Sequence, residues 1–192
     1  MARPASKMRA TYQDVIDAPE HLIAEILGGE LVLTPRPGPP HAKASGHLLR
    51  RLGAPFEDAF GGPGGWVFIY EPELHFAAEG LEVVVPDLVG WRRDHLPEMP
   101  KTAAFHVVPD WVCETLSPST EAIDRSRKMT IYAREKVSHL WLLDPRRQRL
   151  EVYGLDGGRW RALGGPVDPA RPDFRAEPFE EVPLDFSNLW KW

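Results

Sequence analysis

Apolar and polar positions along the chain fall into two rhythms, a two-residue alternation that predicts strands and a three-to-four-residue recurrence that predicts helices. Leu48, Leu49, Leu52 and Phe56 have the helical spacing and predict an amphipathic helix from His41, behind the proline-rich break between Pro35 and Pro40. Thr11 and Asp14 form a helix-capping pair ahead of a short apolar stripe at Val15 and Ile16. Glu25-Ile26-Leu27 and the run from Glu30 to Thr34 flank Gly28-Gly29, which predicts an edge hairpin, because a tight turn needs residues that accept positive φ.

After the glycine-rich connection from Gly61 to Gly65, Trp66 to Tyr70 and Glu73 to Ala77 read as strands, and the turn Glu79-Gly80 leads into a strand that ends at Asp87. A polar loop from Arg92 to His106 separates it from the strand Trp111 to Leu116. Thr120 to Arg134 contains no proline or glycine and follows the capping cluster Ser117-Pro118-Ser119-Thr120, which predicts the longest helix of the chain. Val137 to Leu143 reads as a central strand buried on both faces, followed by an outer hairpin of Leu150 to Tyr153 and Arg159 to Leu163 around Asp156-Gly157-Gly158. The segment from Gly164 to Trp192 is rich in proline and acid. Its Phe179, Val182, Leu184, Phe186, Leu189 and Trp190 predict that it wraps back onto the body.

These elements predict a mixed α/β (α+β) fold. The expected organisation is one domain over 1–192, with 1–10 flexible and 164–192 wrapping around it. With 192 residues and 43% hydrophobic content, the chain is long enough to bury one substantial core. The formal net charge of −5 and pI of about 5.8 exclude a general basic field, so nucleic-acid contact must be local. Arg50-Arg51, Arg92-Arg93, Arg125, Arg127 and Arg146-Arg147 are the local basic candidates.

A single cysteine, Cys113, excludes an intrachain disulfide and a cysteine-rich zinc site. No run reaches the roughly 18 apolar residues of a membrane span, and the basic start lacks the apolar segment of a signal peptide. A cytoplasmic protein with no membrane contact is expected.

The chemistry enters where the apolar pattern is broken. Val83-Val84-Val85-Pro86-Asp87-Leu88-Val89 and Trp111-Val112-Cys113-Glu114-Thr115-Leu116 are strand-like runs that each carry one acid. A carboxylate at the end of a core strand costs desolvation free energy unless something positive faces it, and a divalent cation is one such partner. Along the second strand Glu114 shares a face with Val112 and Leu116, opposite Cys113 and Thr115, so Cys113 is a poor co-ligand. In the following helix Asp124, Lys128 and Tyr132 recur every four residues, which either aims Lys128 at the strand ends or pairs it with Asp124. Two carboxylates and a lysine form a minimum set for metal-assisted phosphodiester hydrolysis: the acids hold a hard cation, and the ammonium orients water and neutralises developing charge.

Pro86-Asp87 with Glu114-Thr115-Leu116 resembles the signature of the PD-(D/E)XK nuclease superfamily. Within it, Glu114 to Thr120, Asp124, Lys128, Tyr132 and Trp141-Leu142-Leu143-Asp144-Pro145 resemble the Uma-type family of restriction endonucleases, as do Gly29-Glu30-Leu31 and the prolines before His41. The resemblance covers most of the chain. One position departs from the superfamily pattern, because Leu116 stands where the lysine two residues after the glutamate would be, and Lys128 is the matching lysine from the next helix.

The resemblance implies a restriction-endonuclease-like core that cleaves DNA with Mg²⁺, or with Mn²⁺, which the same oxygen ligands suit. It implies Asp87 and Glu114 as metal ligands, the Thr115 main-chain carbonyl as a third oxygen, and Asp87, Glu114 and Lys128 as the catalytic set. Glu30, as an outer acid, and His41, on a phosphate, are implied at the same cleft as substrate-binding residues. A homodimer is expected because two symmetric sites cut both strands of a duplex, with Trp190 and Trp192 as candidate contacts. The alternative is a non-catalytic binding or assembly module that retains the nuclease fold, favoured by the acidic charge and the missing in-strand lysine.

Overall fold

Asp14 accepts hydrogen bonds from the Thr11 main chain (2.7 Å) and hydroxyl (2.8 Å), and this pair starts the short helix α1 (Tyr12–Ile16). Strands β1 (Leu22–Leu27) and β2 (Glu30–Pro35) form the expected hairpin. Its turn is built by Gly28 (φ 61°) and Gly29 (φ 77°), values that a side chain would strain. Helix α2 (Pro39–Leu52) continues into a wider π turn, Gly53–Glu57. Then come β3 (Trp66–Tyr70), β4 (Glu73–Phe76), β5 (Glu82–Val84), β6 (Leu88–Arg92), β7 (Ala104–Phe105) and β8 (Trp111–Thr115). The next helical stretch is α3 (Glu121–Ile123), a π turn over Asp124–Lys128, and α4 (Met129–Arg134). Strands β9 (His139–Asp144), β10 (Arg149–Asp156) and β11 (Arg159–Ala162) complete the regular structure.

This computed structural model describes residues 9–77, 80–171 and 173–191. Residues 1–8 of the expected flexible start, Glu79 of the expected turn and Trp192 lie outside the described residues. No helix among those described is long and apolar enough to cross a membrane.

The described strands form two mixed sheets, ordered β2-β1-β5-β4-β7 and β11-β10-β9-β8-β6-β3. Proline 86 stands where the chain passes between them. Val83 pairs with Ile26 in the first sheet, and Leu88 pairs with Cys113 in the second. Proline has no N–H to give a ladder, so the single strand expected to end at Asp87 is instead two strands, and Asp87 lies in the bend just before the second of them. The expectation of two neighbouring acid-bearing strands holds in a different form, with β6 and β8 antiparallel and β8 parallel to β9.

The second sheet is covered on both faces. On one side, Trp66, Phe68, Trp111 and Trp141 pack with Ala44, Leu48 and Leu52 of α2 and with Phe174, Phe179 and Phe186 of the C-terminal segment. On the other, Val112, Leu140 and Leu142 pack with Leu27, Leu74 and Val84 of the first sheet and with Ile131 and Tyr132 of α4. Trp190 is half-buried against the first of these clusters, and its indole N–H donates to Asp168 at 3.1 Å.

The stretch expected to be the longest helix is divided by the π turn into α3 and α4, each shorter than α2. A π turn takes more than four residues per revolution, so Asp124 and Lys128 at its two ends lie nearly over one another. Both are buried.

Candidate functional site

The crossover between the sheets gives its backbone to polar side chains instead of to a ladder. Val85 N–H donates to Glu25 Oε1 at 2.8 Å, and Val85 C=O accepts from Lys128 Nζ at 3.1 Å. Two residues on, Asp87 Oδ2 accepts from Thr115 N–H at 2.7 Å and lies 3.2 Å from His41 Nε2. The Asp87 carbonyl is held by Glu71 N–H at 3.1 Å. Asp87 is therefore fixed from three sides: the start of α2, the end of β8 and the bend before β4.

Lys128 is the centre of a group of acids. Its Nζ lies 3.0 Å from Glu25 Oε1, 3.4 Å from Glu114 Oε1 and 3.7 Å from Asp124 Oδ1. Glu114 also accepts a short hydrogen bond from the Tyr132 hydroxyl. Glu114, Asp124 and Glu25 are each 2% exposed and Lys128 is 5% exposed, so water does little to screen these charges. Burial pushes the Glu114 carboxyl well above its ordinary range; Lys128 opposes that rise, while Asp124 and Asp87 add to it. Burial likewise raises Asp124 to about 6 against the pull of Lys128. Burial works against the Lys128 ammonium, but Glu114, Glu25, Asp124 and Asp87 outweigh it and hold its pKa well above the usual value. Burial also opposes charge on His41, yet Asp87 and the Thr115 backbone raise it.

Five of the six residues singled out in the sequence converge here: Asp87, Glu114, Thr115, Lys128 and His41. Glu30 does not. It opens β2 at the hairpin turn, has a side chain 47% exposed, and pairs with Arg127 at 3.4 Å. Hairpin geometry separates it from the cleft, and Glu25, on the other strand, is the acid that enters the group. The clue to Glu25 is the one that marks Glu114, a lone acid in an apolar strand, here Leu-Ile-Ala-Glu-Ile-Leu. Cys113 faces away from Glu114, packs in the aromatic core, and is pushed up by burial, so it has no nucleophilic character.

The group floors a cavity of about 390 Å³ whose walls come from residues 34–41 on one side and 116–124 on the other. Four carboxylates (Glu25, Asp87, Glu114 and Asp124) gather around Lys128 and His41 in a cavity that Arg36 and Arg146 also line, and their oxygens are the donor type that suits a hard divalent cation. The buried Nδ1 of His41 has no partner and adds an unspent polar contact at the same place. Among the described residues no three His, Cys, Asp or Glu side chains are grouped as a metal site. A cation on Asp87 and Glu114 would complete its shell with main-chain and other oxygens, as the resemblance implies for Thr115.

The model of the Uma2 family, described as "Putative restriction endonuclease", matches residues 10–178. The crystal structure of a "putative nuclease belonging to DUF820" from Anabaena variabilis superposes with a TM-score of 0.71 at 19% identity, covering 95% of this chain and 98% of that one. At that identity the likeness establishes the fold. No curated protein matches the chain.

Proposed function

This chain belongs to the Uma2 family, and we propose that its cleft hydrolyses DNA phosphodiester bonds as a divalent-metal-dependent endonuclease. The observation that carries the reading is the buried convergence of Asp87, Glu114 and Lys128 from three separate elements onto one cavity. Asp87 and Glu114, with the Thr115 carbonyl, would hold Mg²⁺ or Mn²⁺, which supplies Lewis acidity to a phosphoryl oxygen.

The remaining steps belong to the chain itself. Lys128 brings a positive charge held by its acid neighbours, and that charge stabilises the negative charge developing on phosphate oxygens. Glu25 and Val85 C=O aim the ammonium, so no reorganisation is needed as charge develops. His41, held by Asp87, lines the cavity wall, where its ring would meet a phosphate oxygen. The cavity floor, with Glu114 and Lys128 buried, excludes water and strengthens each of these interactions. A homodimer would supply two such sites for the two strands of a duplex.

The test is calorimetric titration of Mg²⁺ and Mn²⁺ into the wild type, Asp87→Ala and Glu114→Ala, with circular dichroism to verify folding. Binding to the wild type that is lost in both folded variants is the expected result. A second reading, a non-catalytic module, is favoured by one observation: Lys128 is already engaged by three carboxylates. Absence of metal binding, with or without added oligonucleotide, would favour it.

A further inference from the structure

We infer that Arg125, Arg146 and Arg147 form a seat on the lip of the cleft for a backbone phosphate of duplex DNA, beside the phosphate to be cut, and that the Glu121 carboxylate fills this seat until DNA displaces it; this rests on the nuclease reading above. Glu121 accepts hydrogen bonds from Arg125 Nε at 3.1 Å, from Arg147 Nη1 at 3.1 and 3.3 Å, and from Arg146. Three guanidinium groups on one carboxylate are more than an ion pair needs. A guanidinium fork matches carboxylate and phosphate oxygens alike, so the same arrangement of donors serves either anion.

The arginines keep their direction without Glu121, because each has a second acid behind it. Glu151 accepts from Arg125 Nη1 at 3.0 Å, and Asp144 lies 3.4 Å from Arg146 Nε and also accepts from Arg147. Asp144 Oδ1 further accepts the main-chain N–H groups of Arg146 (3.0 Å) and Arg147 (3.1 Å), which fixes the β9–β10 turn that carries them. Of the three acids, Glu121 is the one all three arginines share and the most exposed, with 23% of its side chain open against 18% for Glu151 and 3% for Asp144. A ligand therefore meets Glu121 first and leaves the backing acids in place.

The location fits the reading. Arg146 lines the cavity, as do Ser117 to Thr120, the residues that lead to Glu121. The floor below them carries Asp87 and Glu114, whose charge repels an approaching phosphate, and positive charge on the lip offsets that repulsion. Other basic residues singled out in the sequence are directed elsewhere. Arg92 lies 4.3 Å over the Trp66 ring, at the opposite end of β6 from Asp87, and Arg93 donates to the Trp66 carbonyl. Arg50 and Arg51 stand in the last turn of α2, whose first turn holds His41, and Arg127 pairs with Glu30 and the Leu27 carbonyl at the hairpin turn.

The experiment measures binding of a short fluorescently labelled duplex by anisotropy in Ca²⁺ across a salt series, then cleavage after exchange into Mg²⁺. The proteins are the wild type, Glu121→Gln, the pair Arg146→Met with Arg147→Met, and that pair combined with Glu121→Gln, each with its unfolding midpoint. Arg147→Met alone, at the more exposed arginine, serves where the pair does not fold. Asp156→Asn is the charge control, at the far end of β10 from the β9–β10 turn, roughly 23 Å along the strand and beyond the reach of a screened charge. Glu121→Gln should bind about tenfold tighter than the wild type, near what one phosphate contact contributes at about 0.1 M salt, even though it unfolds more easily. A purely structural Glu121 predicts the reverse, weaker binding together with lower stability. The arginine pair should weaken binding and reduce the log–log salt slope by about 1, and the gain from Glu121→Gln should vanish in its background. A Glu121→Gln gain no larger than that of Asp156→Asn, or one that survives loss of the arginines, overturns the inference, and wild-type cleavage of the duplex in that case leaves the nuclease reading standing. The expected binding pattern without cleavage supports the seat and overturns the nuclease reading. Neither binding nor cleavage by the wild type overturns both.

Discussion

Replacing Lys128 by Met keeps the length of the side chain and removes only its charge, which isolates what the ammonium does for the buried acids. In the native protein, Glu25, Glu114 and Asp124 are each 2% exposed and share this one nearby ammonium, at 3.0, 3.4 and 3.7 Å. Removing one partner of a buried ion pair costs about 3–5 kcal/mol, because the charge left behind has neither water nor a counter-ion. At about 2–4 °C of midpoint per kcal/mol for a chain of this size, the melting temperature should fall by about 6–20 °C. Glu25→Gln gives the opposite control. It keeps an acceptor for Val85 N–H, and it removes one of the three carboxylates that share Lys128, so lost attraction to Lys128 is offset by relieved repulsion and the change should stay within about 1 kcal/mol. Urea unfolding in EDTA at neutral pH measures both variants. A Lys128→Met loss no larger than that of Glu25→Gln would refute the picture of an acid cluster short of positive charge.

Phe179 sits at 0% exposure among the rings of Phe56, Trp66, Phe68, Trp111 and Trp141, so Phe179→Ala should cost about 3–5 kcal/mol in urea unfolding; a loss under 1 kcal/mol would mean that the C-terminal segment adds little to the core. The hydrogen bond from Arg146, aided by Arg125 and Arg147, holds the Glu121 carboxyl down at about 2. Its folded pKa lies below its unfolded one, so this stabilisation is present above about pH 4.5 and is lost as pH falls toward 2. Glu121→Gln should therefore flatten the acid side of the stability curve, and unfolding midpoints from pH 6 to pH 3 with the wild-type slope would contradict this.

Much of the fold was legible because strand and hairpin signals are local. The Gly28-Gly29 and Gly157-Gly158 turns, with positive φ at all four residues, were marked by composition alone. What periodicity does not encode is which sheet a strand joins. Trp66–Tyr70 and Glu73–Phe76 are separated by only two residues, yet the first pairs in the second sheet and the second in the first. The bend between them is made at Glu71, a non-glycine residue at φ 46° that no turn signal announces. The π turn over Asp124–Lys128 is equally silent in sequence, because no residue preference distinguishes it from an α turn. In the site, Glu114 was conspicuous as an acid inside an apolar strand. Glu25 obeys the same rule, but a hairpin read from Glu25 onward leaves out the apolar Leu22, Ile23 and Ala24 before it, and with them the apolar strand that makes the acid conspicuous. Glu30 entered through the family pattern, and its exposure on the hairpin turn could be seen only in three dimensions.

The most direct test of the central claim is cleavage of a mixture of labelled single-stranded and duplex DNA by the wild type and by Glu114→Gln, each with Mg²⁺ and with EDTA. The account predicts cleavage by the wild type only with Mg²⁺, and a fall of about a thousandfold or more in the folded Glu114→Gln protein. Cleavage in EDTA, or a Glu114→Gln rate equal to that of the wild type, would contradict it.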